Sequence, residues 1–113
     1  MQKDDHIRLR HMLDAAMEAE IFIKSKTRDS LETDRKLVFA LIKCIEIVGE
    51  AAANVTNQCR DNLPQIPWPS IIGMRNRLIH AYFDIDLDVL WKTLIEDIPS
   101  LIVELEKIVE ERS

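Results

Sequence analysis

With 113 residues, 47% apolar and 31% charged, the chain can bury one compact core and is too apolar to be disordered by composition. Its formal charge of −5 argues against broad adhesion to DNA, which needs a basic face. No apolar run approaches the roughly 20 residues that span a bilayer, and the opening "MQKDDHIRLRHML" is too charged for a signal peptide, so a cytoplasmic protein is expected.

In chain order, Asp4 or Asp5 can cap a first helix running to about Lys26, with Ile7, Met12 or His11, Ala15, Ala19, Phe22 and Ile23 turned inward. "TRDSLETD" breaks the pattern. A long second helix is expected from Ser30 or Thr33 to about Gln58, with Leu37, Leu41, Cys44, Ile45, Val48, Ala52 and Val55 on its apolar face. Pro64, Pro67 and Pro69 forbid a continuous helix through the next stretch. Pro69 suits the first position of a short third helix carrying Ile71, Ile72, Met74, Leu78 and Ile79, ending near His80 to Phe83. Asp84 or Asp86 caps a fourth helix with Leu87, Leu90, Trp91, Leu94 and Ile98 inward. Pro99 kinks or divides that helix, and Leu101 to Val109 continue an amphipathic pattern. No strand-like alternation, repeat or low-complexity segment is visible. The expectation is an all-α bundle of four or five helices forming a single domain over residues 1–113.

The acidity is local. Residues 1–83 hold 12 Lys/Arg against 11 Asp/Glu, whereas residues 84–113 hold 3 against 9, so a basic site upstream remains open. Cys44 and Cys59 form neither a metal spacing nor a disulfide framework. The residues three before His6, His11 and His80 are Lys3, Arg8 and Arg77, so no Glu-x-x-His pair exists and neither a metal nor another cofactor is expected.

One stretch concentrates chemistry: "MRNRLIHAYFDIDLDVLW", with Arg75, Asn76, His80 and Tyr82 inside eight positions. On a straight helix Arg75 and Tyr82 lie about 20° apart and Arg75 and His80 about 140° apart, so unwinding at the helix end is needed to bring all three together. In the last helical turn, His80 would sit at the negative end of the dipole, which favours its protonated form. An imidazole that titrates near neutrality can move protons at an RNA 2′-hydroxyl or leaving oxygen, and a guanidinium can hold the phosphoryl oxygens. One histidine cannot easily serve both ends of an in-line displacement, so this chemistry favours a two-fold dimer with two motifs face to face. On the residues alone a plain reading also stands: Arg75 and Arg77 as solvated charges, His80 as a helix C-terminal cation, and Tyr82 as a half-buried anchor.

"RNRLIHAY", together with "IVGEAA" at residues 47–52, Leu90–Trp91 and "DIPSL", resembles the HepT-like branch of the HEPN ribonucleases across nearly the whole chain. That resemblance implies a symmetric homodimeric HEPN-like bundle and a metal-independent endoribonuclease toxin acting on cellular RNA. By the same likeness Arg75 holds phosphate, His80 handles protons, and Asn76 hydrogen-bonds substrate or orients the pair. It implies as partner a minimal nucleotidyltransferase antitoxin that places AMP on Tyr82. A second reading is a non-catalytic nucleotide- or RNA-binding subunit of a nucleotidyltransferase complex.

Three further features complete the reading. Glu46, Glu50 and Asn54 form a polar seam on the second helix, either an inter-helix contact or solvated edge, or a site at which Glu50 orients His80. His6 and His11 read as surface charge, and Trp68 and Trp91 as core or interface anchors.

Overall fold

The computed structural model describes residues 1–81 and 84–112, and of His80, Ala81, Glu111 and Arg112 the backbone alone. The first helix, α1 (Lys3–Ile23), starts without a side-chain cap. Asp5 is not the cap that its position led us to expect. Its carboxylate is 2% exposed and accepts from the Thr56 backbone N–H at 2.8 Å and from Thr56 Oγ1 at 2.7 Å. Thr56 in turn accepts from the Cys59 N–H and so caps α4 (Asn57–Asp61). A buried carboxylate satisfied across the fold ties the start of α1 to the start of α4. Asp5→Ala leaves two donors of Thr56 without their acceptor and is expected to cost about 2–4 kcal/mol, read as a lower urea midpoint. A loss of stability below about 0.5 kcal/mol would show that this bridge adds little.

The second helix is broken near its start. A short α2 (Ser30–Thr33) ends at Asp34, whose non-helical backbone (φ −117°, ψ 89°) interrupts the helix and whose carboxylate accepts from the Leu37 N–H at 3.0 Å. Asp34 therefore caps α3 (Arg35–Ala53), because a carboxylate satisfies the otherwise unpaired first-turn amides. All seven residues assigned to the apolar face are buried, Val55 just beyond the helix end. The helix stops at Ala53, short of Gln58, because the Asn54 side chain donates to the Glu50 carbonyl at 2.8 Å and competes with the backbone ladder.

α1 packs along α3 and along α8 (Ile98–Arg112). Being covered on two sides, α1 buries Leu9, Leu13 and Ala16 as well as Met12, Ala15 and Ala19. The proline-rich stretch is anchored by Trp68, a buried indole that donates from Nε1 to the Leu63 carbonyl at 3.1 Å.

The third helix is two short pieces, α5 (Trp68–Ile72) and α6 (Met74–Leu78), divided at Gly73 and both packed on α3. It does not reach His80. At Ile79 the backbone turns extended and β1 (Ile79–Ala81) pairs antiparallel with β2 (Asp84–Ile85), Ile79 opposite Ile85 and Ala81 opposite Asp84. The Asp86 N–H donating to the Leu78 carbonyl at 2.8 Å adds a further tie. A two-stranded hairpin thus replaces the expected last helical turn. Aside from it, the described residues are helical or irregular, as an all-α fold requires.

Asp86 caps α7 (Leu87–Lys92) by accepting from the Val89 N–H at 3.0 Å. Arg28 braces this region, donating from Nε to Asp88 at 2.7 Å and from Nη1 to Glu32 at 2.9 Å. Those bonds, Asp88 first and Glu32 second, raise its pKa further above the ordinary arginine value. Pro99 is accommodated by a π-helical turn, Thr93–Asp97, in which the Ile98 N–H reaches back five residues to the Thr93 carbonyl. Proline has no N–H and its ring crowds the carbonyl four residues earlier, so a widened turn lets the helix continue into α8. The buried side chains of all these elements form one cluster, with Leu41, Ile45, Met74, Leu78, Leu90, Leu94 and Leu105 among its least exposed members. No helix among the described residues is long and apolar enough to cross a membrane.

Candidate active site

α5 and α6 lie across the C-terminal half of α3 because Ile71, Met74 and Leu78 are buried in the shared core. Gly49 on α3 lies at this contact, where a Cβ would stand 3.4 Å from the Ile72 carbonyl oxygen, an ordinary packing distance. With the apolar side of α6 turned inward, Arg75, Asn76 and Arg77 are left exposed. Arg75 and Asn76 line an open cleft of about 200 Å³ with Glu46, Gly49, Glu50 and Ala53 of α3 and Ile72 of α5.

The guanidinium of Arg75 faces a carboxylate in this cleft, with Nε of Arg75 3.6 Å from Oε2 of Glu46. Glu50, one turn along the same helix face, lines the cleft without an ion pair among the described residues. The seam of Glu46, Glu50 and Asn54 therefore divides. Glu46 meets the arginine, Glu50 stays in the cleft, and Asn54 is spent on its own helix. Arg77 points elsewhere, donating from Nη1 to Ser70 Oγ at 2.9 Å and pairing with Asp97 at 3.8 Å. Of the two arginines in "RNR", only Arg75 lines this cleft.

His80 lies in β1, two residues past the end of α6. The expected helix C-terminus at His80 is therefore corrected: the chain has left the helix at Ile79, and the dipole argument for a protonated imidazole does not apply there. The predicted meeting of Arg75 with the His80 side chain, and of Glu50 with His80, falls outside what the structure describes, and so does Tyr82.

The cysteines offer no nucleophile. Burial, and secondarily Glu18, pushes the Cys44 thiol up to about 11, so it stays protonated at neutral pH, and Cys59 is also buried. Among the described residues no three His, Cys, Asp or Glu side chains gather as a metal site would require. An exposed arginine and asparagine beside a short hairpin can bind an anion at the open face of the cleft.

Residues 12–108 match the family of HepT-like ribonucleases ("Ribonuclease HepT-like"), and the chain belongs to that family, the HepT-like branch of the HEPN ribonucleases. The chain is 51% identical over 75 residues to a probable ribonuclease HepT of Thermococcus cleftensis, a match covering 66% of this chain and 68% of that protein. Two proteins of Methanocaldococcus jannaschii are also similar. One, named as a gamma-glutamylcyclotransferase and "putative RNase", is 40% identical over 111 residues, which is 98% of this chain but only 50% of that protein's length. The other, named as a "putative RNase", is 36% identical over 95 residues, or 84% of this chain and 87% of that protein. No solved structure matches the chain.

Proposed function

We propose that the protein is a metal-independent endoribonuclease, residues 1–113 acting as one HEPN-like domain, and that it serves in the cytoplasm as the toxin of a toxin–antitoxin pair. The observation that carries this reading is the exposed pair Arg75 and Asn76 in the α3–α6 cleft, with His80 following in β1, in a chain of the HepT-like ribonuclease family. In the proposed reaction the 2′-hydroxyl of RNA gives its proton to one imidazole and its oxygen attacks the adjacent phosphorus. The bond to the 5′ oxygen breaks, and that oxygen takes a proton from a second imidazole. Arg75 holds the phosphoryl oxygens as charge builds on them, and Asn76 hydrogen-bonds the substrate or orients the pair.

Because each chain brings a single motif, the second imidazole comes from a second copy, and the working unit is a symmetric homodimer. Phe39 supports this. It is 48% exposed and stands seven positions before Glu46 on α3, about 20° away in projection, so a large apolar side chain is exposed two turns from the cleft on the same side of the helix. Phe39→Glu is expected to weaken the dimer about tenfold or more in sedimentation equilibrium. An unchanged dissociation constant would remove this face from the interface.

A cognate minimal nucleotidyltransferase completes the proposal as antitoxin, transferring AMP from ATP to the Tyr82 hydroxyl with release of pyrophosphate. The function as a whole is tested with labelled RNA and purified protein in EDTA. Cleavage is expected, whereas tight RNA binding by the dimer without cleavage would favour a binding subunit.

A further inference from the structure

The carboxylate of Glu46 has no part in the reaction above, yet it is the group that the structure sets against Arg75. The approach is made through Nε at 3.6 Å, and no other ion pair or hydrogen bond of the Arg75 side chain occurs among the described residues. With Nε the nitrogen paired to the carboxylate, a guanidinium can turn its two terminal amino groups to another planar or tetrahedral anion, and two parallel donors suit a phosphoryl group. Glu46 is itself fixed by its place on α3, whose inner face at Ile45 and Val48 is fully buried, whereas the Arg75 side chain is 48% exposed and otherwise free to swing.

We propose that Glu46 is the positioning residue for Arg75, steering its guanidinium over the α3–α6 cleft so that Nη1 and Nη2 receive the scissile phosphodiester. This rests on the phosphate-binding role given to Arg75. Two opposing consequences follow. Glu46 preorganises the donor that acts in the transition state, and its negative charge slightly repels the polyanion in the ground state.

Steady-state cleavage of a short labelled RNA by the dimer separates these effects. In Glu46→Gln, which removes the charge and keeps the size, kcat is expected to fall about three- to tenfold, the scale of a half-exposed ion pair or somewhat more, with KM unchanged or lower. Glu46→Asp, which keeps the charge but withdraws it by one methylene, should fall between Glu46→Gln and the native protein. A merely structural role would lower the urea midpoint, or raise KM as the site loosened, and would not combine a lower kcat with an equal or lower KM. An unchanged kcat in Glu46→Gln, or a rise in KM with kcat intact, overturns the proposal. Arg75→Ala in the same assay keeps the two claims apart. If it cleaves normally, the role of Arg75 fails. If it is inactive while Glu46→Gln is unaffected, only the role of Glu46 fails.

Discussion

Arg75→Ala is expected to cut RNA cleavage by about a hundredfold or more while leaving the fold in place. The size follows from the role: a preorganised donor aimed at charge that develops in the transition state is worth about two to three powers of ten. The intact fold follows from the surroundings. The side chain is 48% exposed, and its one partner among the described residues is a carboxylate 3.6 Å away. Ion pairs of that kind contribute about 0–1 kcal/mol, so the urea midpoint should scarcely move. Initial rates on labelled RNA beside denaturation curves make the comparison, and His80→Ala should lose activity on a similar or larger scale, about a hundred- to ten-thousandfold. If both variants cleave at the native rate, these residues have no part in the reaction.

A comparable loss should follow from AMP on Tyr82. The modification adds a phosphodiester charge and a bulky adenosine seven positions after Arg75 in sequence, and the new phosphate competes with RNA for the same guanidinium. Co-expression with the cognate nucleotidyltransferase is expected to yield protein that carries AMP at Tyr82 by mass spectrometry and does not cleave RNA. Tyr82→Phe should stay unmodified and active under the same conditions. Modified protein with full activity would break the link between the mark and inhibition, and AMP on another residue would displace Tyr82.

The way the sequence yielded this picture depends on how many neighbours each element has. On α3 the seven expected residues are buried, but Val38, Ile42 and Ala51 are buried as well, because α1 packs against this helix and so do α5 and α6. α1 lies between α3 and α8, and a single stripe passes over Leu9, Leu13 and Ala16, which are buried from the other side. The hairpin was not legible because strands of three and two residues are too short to show alternation. The breaks at Asp34 and Asn54 depend on side-chain bonds to the backbone, and such residues signal caps and turns only as a tendency.

At the candidate site, Arg75 and Asn76, put forward by the resemblance of "RNRLIHAY", line one cleft. The sharper reading of the polar seam named Glu50, beside His80, whereas the carboxylate that meets Arg75 is Glu46, one helical turn earlier on the same face. That choice depends on where α6 crosses α3, a tertiary fact. Asp5 and Thr56 are 51 positions apart, and their pairing carries no local sequence signal.

The ends left on cut RNA test the central claim most directly. A short RNA treated with the native dimer in EDTA should carry 2′,3′-cyclic phosphate on one fragment and 5′-hydroxyl on the other, the result of attack by the neighbouring 2′-oxygen assisted by imidazole and guanidinium without metal. Fragments bearing 3′-hydroxyl and 5′-phosphate, formed only when divalent metal is supplied, would contradict it.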